Sequence, residues 1–269
     1  RAVDPTMLVT LNAIATQQAS PTQKTMDRIK QLLDYCSSQE EAIITYHSSN
    51  MVLAIHSDAG YLNESKARSR VGGHFFLSSD TQYPPNNGAI LDIAQIIDAV
   101  MSSAAEAEMG ALFINAKEAV HLQCILHEMG HPQPCTPIQM DNSTAEGVIN
   151  SRIRPKHTKA MDMQFEQLLD RAQQGQFQIY WKPGKTNLAD YFMKHHPPAH
   201  HCNVQGEFLM RVAELQQLRK ENTSVREREM RLATTDVVCF RSVLQGCVNI
   251  SGMYLRRLLN RLLPIQNTV

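Results

Sequence analysis

From residue 50 to residue 98 the chain reads as three strands in succession, and from about Val100 to Met129 as one long helix. That switch of apolar period restricts the fold more than any other feature of the sequence. "NMVLAIHSDAG" (50–60) is a continuous apolar run that predicts a buried strand ending at Asp58. "SRVGGHFFLSS" (69–79) predicts a second strand. "TQYPPNNG" (81–88) is a turn signal, and "AILDIAQIID" (89–98) alternates as a third strand. A hairpin-linked meander is the simplest arrangement of the three. Met101, Ala104, Glu108, Ala111, Leu112, Asn115, Ala119, Leu122 and Leu126 then form one helical stripe, which Gly130 and Pro132 end.

The pattern alternates again beyond that point. "TPIQMDN" (136–142) predicts a fourth strand, closed by Asp141, and "STAEGVIN" (143–150) a short helix. "SRIRPKHTK" (151–159) is a basic loop. "AMDMQFEQLLDRAQQG" (160–175) predicts a helix closed by Gly175, "QFQIYWKPG" (176–184) a fifth strand, and "TNLADYFMKHHP" (186–197) a last helix. The order β-β-β-α-β-α-α-β-α predicts an α/β fold, a mixed sheet with helices packed against it. Ahead of it, "SPTQKTMDRIKQLLDYC" (20–36) predicts a helix capped by Ser20 or Thr22.

Hydrophobic residues make up 43% of the 269, enough for a sizeable core, and the formal net charge is zero. The charge is uneven. Residues 51–197 carry 12 basic and 15 acidic side chains, and residues 198–269 carry 10 and 6. A neutral total does not single out a nucleic-acid binder, nor exclude one, because binding depends on local patches. The six cysteines form no C-x-x-C pair and read as free thiols of an intracellular protein. No run of about 18 apolar residues predicts a membrane span. The chain begins at Arg1 and reads as part of a longer product.

Four acidic residues stand at distinctive points. Asp58 and Asp141 close strands, Glu108 interrupts an apolar helical stripe, and Asp190 lies in the last helix. Strand ends and helix faces converge at one edge of an α/β sheet, so these groups can form one cluster. Such a cluster needs a cation to offset its repulsion, and oxygen ligands suit Mg²⁺ or Mn²⁺. Two such ions are common machinery for cutting phosphodiesters. Glu106 competes with Glu108, but two helical steps turn the side chain by about 200°, so only one can face the sheet. Glu108 shares its face with Ala104, Ala111 and Leu112 and is preferred. An unconnected set of surface acids is the alternative.

The motifs "SDAGYLNESKARSRVGGHFFL", "SSAAEAEMGALFINAKEAVHLQCILHEMGHPQP", "PIQMDNSTAEGVIN", "RPKHTKAMDMQF" and "YWKPGKTNLADYFMKHHP" occur in order across residues 51–197. Together they resemble the ribonuclease H domain of copia-type LTR retrotransposon polyproteins. Residues 1–50 then look like the end of the preceding reverse transcriptase and its connecting segment, and 198–269 a helical, partly basic tail of unknown role. The resemblance implies an RNase H-like fold with a five-stranded mixed sheet. It implies two-metal, Mg²⁺-dependent cleavage of the RNA strand of RNA–DNA hybrids during reverse transcription, with Mn²⁺ as a substitute. It gives the metal-ligand role to Asp58, Glu108, Asp141 and Asp190. The expected location is the cytoplasmic element particle, with the nucleus as a further compartment. Relatives often carry a mobile histidine shortly before the last aspartate. Here that loop is "KPGKTNLAD", without histidine, so proton transfer to the leaving oxygen is unassigned. Arg152, Arg154, Lys156, His157 and Lys159 are candidates to grip phosphates, and Asn142 and Ser143 to approach the substrate 2′-hydroxyls.

Two histidine motifs stand apart. "HEMGH" (127–131) has the H-E-x-x-H spelling of a zinc protease helix. Gly130 and Pro132 argue against it, no x-x-G-x-x-H continuation follows, and nothing in the sequence supports Glu146 or Glu166 as the third ligand. "HHPPAHHC" (195–202) has transition-metal ligands but reads as an exit loop. Tyr180 and Trp181 are candidates to stack on bases or to join the core. Besides the nuclease, the competing readings are a catalytically inactive remnant or hybrid-binding module and, less favoured, the zinc protease.

Overall fold

The computed structural model describes residues 4–39, 41–79, 82–149, 162–211, 214, 216–218 and 237–238. The elements in chain order are helices α1 (Leu8–Ala15) and α2 (Gln23–Ser38), then strands β1 (Ile44–Thr45), β2 (Val52–Glu64), β3 (Arg68–Ser78) and β4 (Ala89–Ile96). Helix α3 (Ala104–Glu128), strand β5 (Thr136–Met140), helices α4 (Ser143–Ile149) and α5 (Asp162–Gln173) and strand β6 (Phe177–Trp181) follow. Helices α6 (Asp190–Met193) and α7 (Pro198–Phe208) and strand β7 (Val237–Val238) complete the set. Two compact units contain them.

The larger unit, built on Tyr46–Phe208, holds a five-stranded sheet in the order β4-β3-β2-β5-β6. The meander β2-β3-β4 is antiparallel, and β5 and β6 join it in parallel to β2. This is the mixed five-stranded sheet flanked by helices that was expected. Leu53, Ile55, Val71, Phe75, Ile138 and Ile179 of the strands meet Ala107, Ala111, Leu112, Ala116 and Ala119 of α3 in one core. The small side chains of α3 let its axis lie close to the strands. Ser103 caps α3, its Oγ accepting from Glu106 N, and Glu106 Oε2 accepts from Ser102 N.

Two adjacent glycines in β3 set the spacing of the layers. A Cβ on Gly73 would lie 2.3 Å from Asn115 Oδ1, and one on Gly72 would lie 2.2 Å from the carbonyl oxygen of Ala189. Glycine at these positions admits α3 and the loop before α6 to the backbone of the sheet. Asn115 Nδ2 donates to Ser57 Oγ (2.8 Å) and to the Gly72 carbonyl (3.0 Å), pinning α3 at that point. Arg70 is wholly buried, with Glu64 at 2.7 Å beside the irregularity in β2 between Gly60 and Glu64.

The other unit contains α1, α2 and the antiparallel pair β1·β7. Ile14, Ile29 and Leu32 form its small apolar cluster. Thr22 caps α2 in a capping box with Thr25, as one of the two expected caps. Neither α1 nor β1·β7 is expected from the sequence.

Three readings need correction. β2 does not end at Asp58 but runs on to Glu64, because Asp58 is paired across to Gly72 in the β2–β3 hairpin. The last helix of 186–197 shrinks to Asp190–Met193, since a 3₁₀ turn over Gly184–Thr186 and the residues after it hold the chain down first. "HHPPAHHC" is not wholly a loop, because Pro198 opens α7 from a helix-compatible first position. No helix among the described residues is long and apolar enough to cross a membrane. Cys36, Cys124, Cys135 and Cys202 are free thiols.

Candidate metal centre

Strand register brings the first two acids together. β2 and β5 are parallel with Ile55 beside Ile138 and His56 beside Gln139. Continued by two residues, that register sets Asp58 abreast of Asp141, the first residue beyond β5. Glu108 comes from the second turn of α3, seven residues and so two full turns ahead of the anchored Asn115. One carboxylate oxygen of each of Asp58, Glu108 and Asp141 lies within 4.8 Å of the other two. The choice of Glu108 over Glu106 agrees with this placement. Glu108 is 7% exposed and in the cluster, whereas Glu106 is spent on the helix cap.

Asp190 stands beside this group rather than in it. It contributes to the potential at Asp58 and Asp141. Its Oδ1 accepts from Lys194 Nζ at 2.7 Å, one helical turn on. The loop that delivers it is latched to β2. Asn187 Nδ2 donates to the Ser57 carbonyl (2.9 Å), Leu188 N donates to His56 Nδ1 (3.1 Å), and Ala189 N donates to Asn187 Oδ1 (3.1 Å). Burial, with His74 and Lys182 nearby, holds the His56 imidazole well below its ordinary pKa, consistent with an accepting Nδ1.

The electrostatics are those of acids crowded together. Burial, and then Asp141, push the Asp58 carboxyl up to about 7. Burial, and then Asp58, push Glu108 up to about 10. Burial, and then Asp190, raise Asp141. Asp58 Oδ1 accepts from Ala59 N at 2.7 Å; a proton on Glu108 is shared with Asp58, and once both are ionised Asp58 Oδ2 and Glu108 Oε2 have no donor among the protein groups. Three converging carboxylates, two of them buried, fit a divalent cation in place of the shared proton, and an all-oxygen donor set fits a hard one.

Residues that motif reading passes over position this centre. A Cβ on Gly184 would lie 2.7 Å from Asp141 Oδ2, so glycine there leaves that oxygen room. Trp181 is 46% exposed, and its indole N–H donates to the Asp141 carbonyl at 2.8 Å. Tyr180 is buried, edge-on to Tyr83, on the core side of the choice posed for it. The visible signal for these roles is the Pro-Gly after a strand and the paired glycines of β3.

Asn142 and Ser143 lie next to Asp141 at the start of α4, with Glu146 N donating to the Asn142 carbonyl. Arg152, Arg154, Lys156, His157 and Lys159 lie outside the described residues, as do Arg256, Arg257 and Arg261 of the tail. His127 and His131 do not share a helical face. α3 ends at Glu128, Gly130 adopts φ +91°, and His131 N closes the cap on the Leu126 carbonyl at 2.9 Å. Neither histidine belongs to a metal-capable group among the described residues. The H-E-x-x-H spelling is a helix C-cap.

No family model and no curated protein matches the chain. Solved structures similar to it include the RNase H1 called LC11, isolated from compost by a metagenomic approach. It has 14% identity and a TM-score of 0.40, with 53% of this chain and 93% of that one covered. The N-terminal RNase H domain of a Mycobacterium tuberculosis protein has 17% identity and a TM-score of 0.38, covering 58% and 97%. The prototype foamy virus protease–reverse transcriptase has 11% identity and a TM-score of 0.34, covering 58% of this chain and 20% of that one.

Proposed function

We propose that residues 51–197 are the ribonuclease H domain of a copia-type retrotransposon polyprotein, hydrolysing the RNA strand of RNA–DNA hybrids. Residues 1–50 are, on this reading, the end of its reverse transcriptase region, and the protein works inside the element particle. The carrying observation is the convergence of Asp58, Glu108 and Asp141, with Asp58 and Glu108 buried. Repulsion and burial hold protons on this cluster, and a cation relieves both. Asp58, Glu108 and Asp141, with Asp190 beside them, are the residues that would hold Mg²⁺ or Mn²⁺. A pair of such ions, when bound, supplies an activated water and countercharge for the departing oxygen. The chain itself supplies rigidity. Asp58 sits mid-strand, Glu108 on a helix pinned by Asn115, and Asp141 at a strand end fixed by Trp181. Asn142 and Ser143, one and two residues further, are assigned to the substrate 2′-hydroxyls, and the basic residues 152–159 to its phosphates.

The test is a labelled RNA–DNA hybrid with Mg²⁺ or Mn²⁺, comparing the protein with Asp58→Asn and Asp141→Asn. Cleavage of the RNA strand, lost in both variants, is the expected result. A folded protein that leaves the hybrid intact with either metal overturns it. One observation favours another reading, a hybrid-binding module without cleavage: the fourth carboxylate is paired with Lys194. Tight hybrid binding with no cleavage would support that reading.

A further inference from the structure

His196 and His200, after α6, have no part in the nuclease reading, but they meet one of its four carboxylates, Asp190. One ligand atom of each of Asp190, His196 and His200 lies within 4.8 Å of the other two. His196 is sandwiched. Tyr191 stacks on it at 5.1 Å and 13°, and His200 at 4.3 Å and 21°. The His196 Nε2 is buried without a partner. A ring fixed by stacking, with a buried nitrogen that has no partner, is available to a metal. His201 is excluded from the set, since its Nδ1 is engaged by the Tyr191 hydroxyl at 2.7 Å.

We propose that Asp190, His196 and His200 form a binding site for a divalent transition metal such as Zn²⁺, which staples α6 to the start of α7. Two imidazoles and one carboxylate are a borderline-soft donor set, unlike the all-oxygen cluster of Asp58, Glu108 and Asp141. Tetrahedral bonds of about 2.0–2.1 Å put neighbouring ligand atoms about 3.3–3.5 Å apart. The three groups therefore close by no more than about 1.5 Å on binding. His196 and His200 lie on a short connection and the first turn of a helix, where such a shift is small. The competitor is the Lys194 ammonium, 46% exposed on a flexible stem. The metal takes its place on Asp190 as counter-ion. Three protein ligands leave a coordination position for water.

The experiment is a titration of the metal-free chain with Co²⁺, read by its visible absorption, followed by displacement with Zn²⁺. Thermal unfolding with and without Zn²⁺ is read in parallel. One equivalent of Co²⁺ is expected, displaced by Zn²⁺, with a rise in Tm. His196→Ala and His200→Ala should each weaken binding by at least about tenfold, the lower bound for losing even an outer-shell partner. Lys194→Ala should tighten it. Asp58→Asn and the His127→Ala/His131→Ala double variant should leave it unchanged. Neither His196 nor His200 belongs to the apolar core, and far-UV circular dichroism of each variant checks its folding. Binding unaffected by the loss of His196 and His200, binding lost with Asp58, or no absorption band at one equivalent overturns the proposal. None of these readouts uses hybrid cleavage; Asp190 is shared with the proposed nuclease centre, so it is the two histidine variants and Asp58→Asn that tell the two sites apart.

Discussion

Glu108→Gln is expected to stabilise the metal-free protein, and to do so more as pH rises. The folded chain keeps Glu108 protonated until about 10, because burial and then Asp58 disfavour its charge. The unfolded chain gives up that proton near the ordinary glutamate value of about 4.3. Between these limits the native state binds one more proton than the unfolded state, so stability falls as pH increases. One proton corresponds to about 1.4 kcal/mol per pH unit, or about 2.7 kcal/mol between pH 5 and pH 7. Glutamine is nearly isosteric with the protonated acid and has no proton to lose. Any fixed cost of the amide acts equally at both pH values, and titrating groups remote from Glu108 cancel in the comparison to first order; Asp58, its partner, ionises in the folded chain only at about 7, the top of this window. Relative to the unaltered chain, the variant should therefore gain about 2.7 kcal/mol from pH 5 to pH 7, about 5–10 °C in Tm. The assay is urea and thermal unfolding of both proteins with a chelator present. Excess Mg²⁺ should narrow the gap, since the cation binds the Glu108 carboxylate of the unaltered chain more tightly than the amide of the variant. A difference that stays flat with pH, or falls as pH rises, would refute the reasoning and return Glu108 to an ordinary charged carboxylate.

Two further outcomes follow from the packing around the centre. Gly184→Ala drives a methyl to 2.7 Å from Asp141 Oδ2, and it should weaken Mg²⁺ affinity, measured by calorimetry, while the unfolding midpoint changes little. Asn187→Ala removes the bond to the Ser57 carbonyl and the cap on Ala189, both buried, and should cost about 1–3 kcal/mol in urea unfolding and lower hybrid cleavage by displacing Asp190.

How much of this is legible in the sequence depends on the range over which each feature is decided. The apolar run of 52–60, the alternation of 89–96 and the stripe on 104–128 are local patterns, and each identifies its element. The choice of Glu108 over Glu106 is also local, because helical geometry alone allows one of the two to face the sheet. Asp58 and Asp141 both read as strand-terminal acids. Only one of them terminates a strand, since hairpin pairing with β3 carries β2 six residues past Asp58.

Tertiary structure alone decides the rest. That Asp58 and Asp141 are neighbours follows from a parallel register between strands about eighty residues apart, which no local pattern encodes. That Gly72, Gly73 and Gly184 matter follows from what a methyl would strike, the Ala189 carbonyl, Asn115 and Asp141. H-E-x-x-H and HHPPAHHC illustrate the two directions of error. H-E-x-x-H has ligand spacing, but the helix ends within it, so spacing without a continuous helix places no site. HHPPAHHC has the composition of a broken exit loop, yet a turn of helix after the prolines returns His200 to His196 and both to Asp190. Sequence determines which side chains are available and the period on which they repeat; only the closure of distant segments onto one sheet decides which of them share a centre and which remain on the surface.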